Sequence, residues 1–228
     1  MTPAWLLPIL PVILVGVMAG ALDGHIHPNQ IYPALIAGLF CAGGGFIYSL
    51  PISGIYLARL FTVGLPVADT RPGMMIAVGP PCYSPLAFLK LAAGIPVGYG
   101  FFEKHVMGAE ILQTMTLFLS IPIFGFGCFF LIVATSAILY KARSMSFHLT
   151  WYGMIFPVSP LRDTLAYCWA NERQNVGMVS ALGLIAKGIP SLPITWVFTA
   201  GTILLVALWL FITVAHIVAI WRKSEYLW

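Results

Sequence analysis

Charge is what this sequence has least of. Of its 228 residues only 8% are Asp, Glu, Lys or Arg, where a soluble domain carries ~25%. A chain so poor in charge cannot cover a water-facing surface, so its solvent is lipid. Acids are the scarcest group: seven Asp and Glu stand against eleven Lys and Arg, a formal net charge of +4. The basic residues stand singly at the ends of apolar runs, where long side chains reach the headgroups. No basic cluster is dense enough to track phosphates, which excludes nucleic acid as a partner. Cysteine is sparse too. Cys41, Cys82, Cys128 and Cys168 lie far apart with no CxxC spacing, so neither a zinc site nor a disulfide framework is indicated. They read as small buried hydrophobes.

Enzyme signatures are missing as well. There is no GxSxG, Walker A, HExxH or dinucleotide fingerprint, and nothing asks for a cofactor. The loop "DGHIH" offers Asp23, His25 and His27, but HxH alone is an unspecific metal signal. A hydrated loop at the membrane surface is the preferred reading, with no metal. An integral membrane enzyme of terpene-cyclase type would need carboxylates converging in a cavity. Asp23, Asp69, Glu103 and Glu110 all fall in loops or at span edges, which disfavours it.

What the chain has is apolar length. Hydrophobic residues make up 60% of it, in continuous runs rather than the alternation of a membrane β-barrel. A helix needs ~20 mostly apolar residues to cross a bilayer. The expectation is an all-α integral membrane protein, one transmembrane domain over residues 1–228 with about six spans. The first runs near Trp5–Leu22, since "MTPAWLLPILPVILVG" lacks the basic start of a signal peptide. The second covers Ile31–Ile52, with an extension towards Leu60. The third covers Met74–Val97 and the fourth Ile111–Tyr140. The fifth starts near Phe147 and is short if it ends at Ser159. The sixth covers Ile194–Ile220, before the aromatic and basic anchor "WRKSEYLW". An even count puts both termini on one side, with Arg59, Arg71, Lys141, Arg143, Arg222 and Lys223. The positive-inside rule makes that side cytoplasmic.

Proline and glycine punctuate the spans. "VGPPCYSP" sets Pro80 and Pro81 between Gly79 and Pro85. Tandem prolines inside a helix would break two backbone bonds and bare their carbonyls, tolerable only against protein or a water-filled cavity. The bend is either part of a pathway or a packing kink. Lys90, further along, either attracts an anion or snorkels from the helix end. Gly16 to Gly20 and Gly94 to Gly98 have GxxxG spacing, which reads as close helix packing rather than a dimer face. "SPLRDTLAYCW" sets Arg162 and Asp163 where the fifth span should continue, so the chain there lines water or has left the hydrocarbon. "WYGMIFP" carries three rings and Pro157, a bend that must face protein or water.

Five motifs occur in an order that matches a known family: "TPAWLLPILPVILVG", "ARLFTVGLP", "RPGMMIAVGPP", "FHLTWYGMIFP" and "WLFITVAHIVAIWRKSEYLW". They resemble the back half of the tellurite-resistance/dicarboxylate transporter family, which includes fungal malic acid transporters and plant slow anion channels. The stretch from Arg162 to Pro190 departs from the family pattern. The resemblance implies a partial ring of helical hairpins around a pore, equivalent to spans five to ten of ten. The first, third and fifth spans would line it, with kinks at Pro8, Pro11, Gly79, Pro80, Pro81 and Pro157. Phe156 would gate it and Lys90 would draw anions in. The implied function is transport of C4-dicarboxylates such as malate across the plasma membrane, with sulfite or acidic secondary-metabolite efflux as the alternative. Four front spans of the family have no counterpart here. The expectation is therefore a half-size transporter that assembles with itself or with a partner half-protein, an inactive remnant, or an incomplete part of a longer protein, and the sequence does not choose among them.

Overall fold

The structure is a computed structural model. It describes residues 2–22, 27–96 and 101–141, Met145, residues 149–154, and scattered residues between Ile203 and Trp221. These are helical, in an up-and-down order. A short 3₁₀ turn, Pro3–Leu6, leads into α1 (Ile9–Gly20). Helix α2 is Pro28–Val63. An 11-residue 3₁₀ segment, Ala68–Val78, runs into α3 (Gly79–Ala93). One turn, α4 (Phe101–Lys104), precedes α5 (Val106–Lys141). A second 3₁₀ segment spans Leu149–Met154.

Four stretches among the described residues are long and apolar enough to cross a membrane: Pro3–Gly20, Asn29–Val63, Ala68–Ala93 and Met107–Lys141. They correspond to the first four expected spans. The expected fifth and sixth spans fall largely outside the described residues.

The ends follow local chemistry. Helix α2 opens with a proline at its first position, where the missing N–H costs nothing. It stops at Gly64, whose φ of +83° no ordinary side chain adopts easily, and whose N–H donates to the Leu60 carbonyl at 3.2 Å. At 36 residues each, α2 and α5 extend about 54 Å. That exceeds the ~30 Å hydrocarbon layer, so each tilts or projects beyond it.

The packing is centred on α3. Helix α1 buries Leu10, Ile13, Val17 and Gly20 along one stripe, towards α2 and α3. Small residues let the three backbones close up. A Cβ on Gly20 would lie 2.5 Å from the Lys90 backbone, and one on Gly16 would lie 2.5 Å from the Ala42 side chain. The Gly16–Gly20 spacing thus serves packing within the chain. Helix α5 closes the other side, where a Cβ on Gly127 would meet the Cys82 sulfur at 2.7 Å. Cys41, Cys82 and Cys128 are free thiols.

Candidate functional site

The span Ala68–Ala93 changes helix type in its middle. Its first half rises as a 3₁₀ helix and its second as an α-helix, each about 22 Å long. Gly79, Pro80 and Pro81 sit at the switch, and all three are buried. This corrects the local reading of the tandem prolines. They occupy the first turn of α3, where their missing N–H groups leave no α-helical bond broken. The Gly79 N–H donates to the Ile76 carbonyl. Two of the first amides of α3 are therefore absent and a third is used. The positive potential at this switch is therefore little more than that of the helix dipole itself. Further along, Pro85 cannot return a bond to the Pro81 carbonyl, and the Ser84 hydroxyl donates to the Pro80 carbonyl at 2.8 Å.

The first span is built the same way. Pro8 is the N-cap of α1, and Pro11 lies within its first turn. Both mark the change from a 3₁₀ lead-in to α-helix rather than a bend within a helix. Both are exposed, on the side of α1 away from Leu10 and Ile13. The structure therefore does not bring them against Pro80 and Pro81. Proline inside a helix is not special to these spans. Pro33 and Pro51 lie within α2, and Pro122 within α5.

The three 3₁₀ segments gather together. Pro3–Leu6 and Leu149–Met154 both pack on Ala68–Val78. Gly153 faces this contact: a Cβ there would sit 3.4 Å from Ile76 and 3.6 Å from the Gly73 backbone, ordinary van der Waals distances. Met154 is buried, and Trp151 is half-buried with its ring 6.2 Å from that of Phe211. Thus "RPGMMIAVGPP" and the start of "WYGMIFP", two stretches far apart in sequence, meet in the core. Phe156 and Pro157 lie outside the described residues, as do Asp23, His25, Arg162 and Asp163. Among the described residues no three His, Cys, Asp or Glu side chains converge.

Arg71 is the functional-looking residue that sequence reasoning undervalued. Counted only as a flanking charge, it is 92% buried, with 8% exposure. Its Nε donates to the Pro66 carbonyl at 3.1 Å and its Nη1 to the Ala137 carbonyl at 2.8 Å. The second bond ties the lead-in of α3 to the last turns of α5, where a cation also complements the helix dipole. The guanidinium and the Lys141 ammonium each lie 5.9 Å from the centre of the Tyr140 ring, within cation–π range. The signal was an arginine directly before a Pro-Gly pair and an apolar run, one that must enter the bundle with the run. Arg59, Arg71 and Lys141 do share one end of the bundle, as the charge pattern required.

Lys90 is at the opposite end. It is half-buried in the last turn of α3, and its carbonyl accepts the Gly94 N–H at 3.0 Å. The helix dipole favours a cation there. The Tyr56 and Ser120 hydroxyls are buried with no hydrogen-bond partner among the described residues. Each costs about 1–3 kcal/mol unless water or a solute meets it.

Residues 1–217 match the family model described as voltage-dependent anion channel. The chain is 33% identical over 159 residues to the malic acid transport protein of Schizosaccharomyces pombe, covering 68% of this chain and 36% of that protein. It is 31% identical over 157 residues to a "Putative malic acid transport protein" of the same yeast, with the same shares. The chain thus spans about a third of the length of the curated relatives it matches. No solved structure matches it.

Proposed function

The chain belongs to the voltage-dependent anion channel family, and from that premise we propose that it moves small organic anions across a membrane, C4-dicarboxylates such as malate first. Members of this family are channels and transporters, not enzymes, so no covalent chemistry is required. The observation that carries the reading is the family match over residues 1–217, joined to relatives named for malic acid transport. Sulfite or acidic secondary-metabolite efflux is the alternative within the same family.

The pathway follows the first, third and fifth spans. The gathered 3₁₀ segments support this, because irregular backbone in a bilayer needs protein or a water-filled cavity around it. Gly79, Pro80, Pro81 and Pro157 mark the pathway's wall, while Pro8 and Pro11, exposed on the far side of α1, lie outside it. Phe156 is its hydrophobic gate and Lys90 supplies positive potential at the far mouth. The end bearing Arg59, Arg71 and Lys141 faces the cytoplasm, and the membrane is the plasma membrane. The chain spans about a third of its relatives' length, and the rest of the ring comes from outside these residues: further residues of a longer protein, a second copy or a partner half-protein.

The test is malate uptake into liposomes by the wild-type protein and by Phe156→Ala. The reading expects flux above empty vesicles, raised by removal of the ring. If neither protein moves malate, sulfite or another small anion, the reading fails. Cross-linking in the same vesicles gives the number of copies.

A further inference from the structure

One cavity lies apart from that pathway. It holds about 460 Å³ and lies between α2, the end of α3, α4 and the start of α5. Leu35, Leu91 and Ala92, all nearly buried, form its floor. Ile36, Leu39, Leu112 and Leu119 form its rim and are exposed on the outer faces of α2 and α5. The cavity therefore opens sideways, in line with the surface these two spans offer to lipid.

Three features specify the occupant. First, the wall is apolar. Its threonine, Thr116, already donates its hydroxyl to the Leu112 carbonyl at 2.7 Å, so apart from the Tyr32 hydroxyl at one end the lining is apolar and holds no charged group for an anion. Second, the depth is limited. On α2 the cavity runs from Tyr32 to Leu39, about 10 Å along the axis, within the ~15 Å of hydrocarbon in one leaflet. A solute path must cross both leaflets. Third, one end is marked by stacked rings, Tyr32 and Phe102, 6.4 Å apart and 13° from parallel. These adjoin the polar turns at His27–Gln30 and Glu103–His105, the arrangement of an aromatic belt at headgroup level.

We infer that this crevice is a binding site for one acyl chain of a membrane phospholipid, whose headgroup lies over the Tyr32–Phe102 end. The chain replaces water that an apolar wall would not hold, and it packs against the last turns of α3. There the Gln113 side-chain amide donates to the Ala92 carbonyl at 3.3 Å. The bound lipid is thus a wedge between the two outer spans and a support for the central one.

The test uses the whole chain in phosphatidylcholine vesicles containing phosphatidylcholine with a photoactivatable group on its acyl chain. After illumination, labelled peptides are mapped by mass spectrometry. The inference expects label on 32–39, 88–95 and 112–119 several-fold above that on the exposed Ile132–Leu139 face of α5. Leu39→Trp and Leu112→Trp fill the rim from exposed positions and should each abolish that excess, while Ile132→Trp should not. Uniform labelling along α2 and α5, or an excess unchanged by both rim variants, overturns it. So does an Ile36→Cys disulfide between copies with the crevice unlabelled, since a second copy would then occupy it. The readout is lipid contact, not flux, so its failure is separate from failure of the transport reading.

Discussion

The span Ala68–Ala93 and helix α5 make an instructive pair. Of the four described spans, Ala68–Ala93 is the least apolar, yet 78% of its 18-residue apolar stretch is buried; α5 is the most apolar, and 28% of the corresponding stretch is buried. In water the order would be reversed, because burial follows hydrophobicity. In a bilayer lipid is as apolar as leucine, so hydrophobic side chains have no reason to leave it. What must be enclosed is backbone that departs from the α-helix, together with buried charge. The inner span has the 3₁₀ segment, the tandem prolines and Arg71. Helix α5 has unbroken apolar length, and its outer face, with Phe118, Ile132 and Leu139, stays exposed.

Several substitutions sharpen or break this contrast. The largest effect is expected from Leu86→Ala, fully buried on α3. It should cost about 2–5 kcal/mol, whereas Phe40→Ala, 82% exposed on α2, should stay within about 0.5 kcal/mol. Thermal unfolding in detergent compares the two, and equal losses would mean that α3 is not the packed centre. Next is Arg71→Met, which keeps much of the stem but removes both hydrogen bonds to carbonyls. Bonds from a charged donor are worth about 1.5–3 kcal/mol, and the loss should loosen the lead-in from the end of α5. A cysteine pair bridging these elements, cross-linked with and without the substitution, reads that directly. Gly20→Ala comes third, at about 1–3 kcal/mol, because its methyl would press on the Lys90 backbone. Smallest is Gly43→Ala on α2, where nothing lies within 4 Å. It should gain up to about 1 kcal/mol of helix propensity. A loss there would show that the outer glycines also pack closely.

Much of the fold was legible in the residues. The first four spans overlap those that hydropathy marks, because a hydrophobic run acts locally, but their ends differ: the second runs on to Val63, beyond Ile52 and Leu60, and the third starts at Ala68, before Met74. The clustering of Arg59, Arg71 and Lys141 at one end follows from an even alternation of spans. The candidate site was harder to read. Pro80 and Pro81 announce a break in helix type, but whether it lies inside an α-helix or at its start depends on the preceding segment. The 11 residues from Ala68 carry no plain 3₁₀ signature. The Pro-Gly pair after Arg71 hinted that it enters the bundle, but its acceptor was invisible, since Ala137 is 66 residues away. So was the contact of Gly153 with Gly73, which joins two motifs that sequence presents separately.

The sequence by itself determined the solvent, the helical class and the approximate span limits. Each depends on composition within some twenty residues and on the need to satisfy every backbone group in lipid. It also held the motif order that marks the family. Tertiary structure alone decided which span is central. In a bilayer hydrophobicity does not rank spans for burial. The order comes from which backbones approach closely, and that depends on glycines of one helix meeting particular atoms of another.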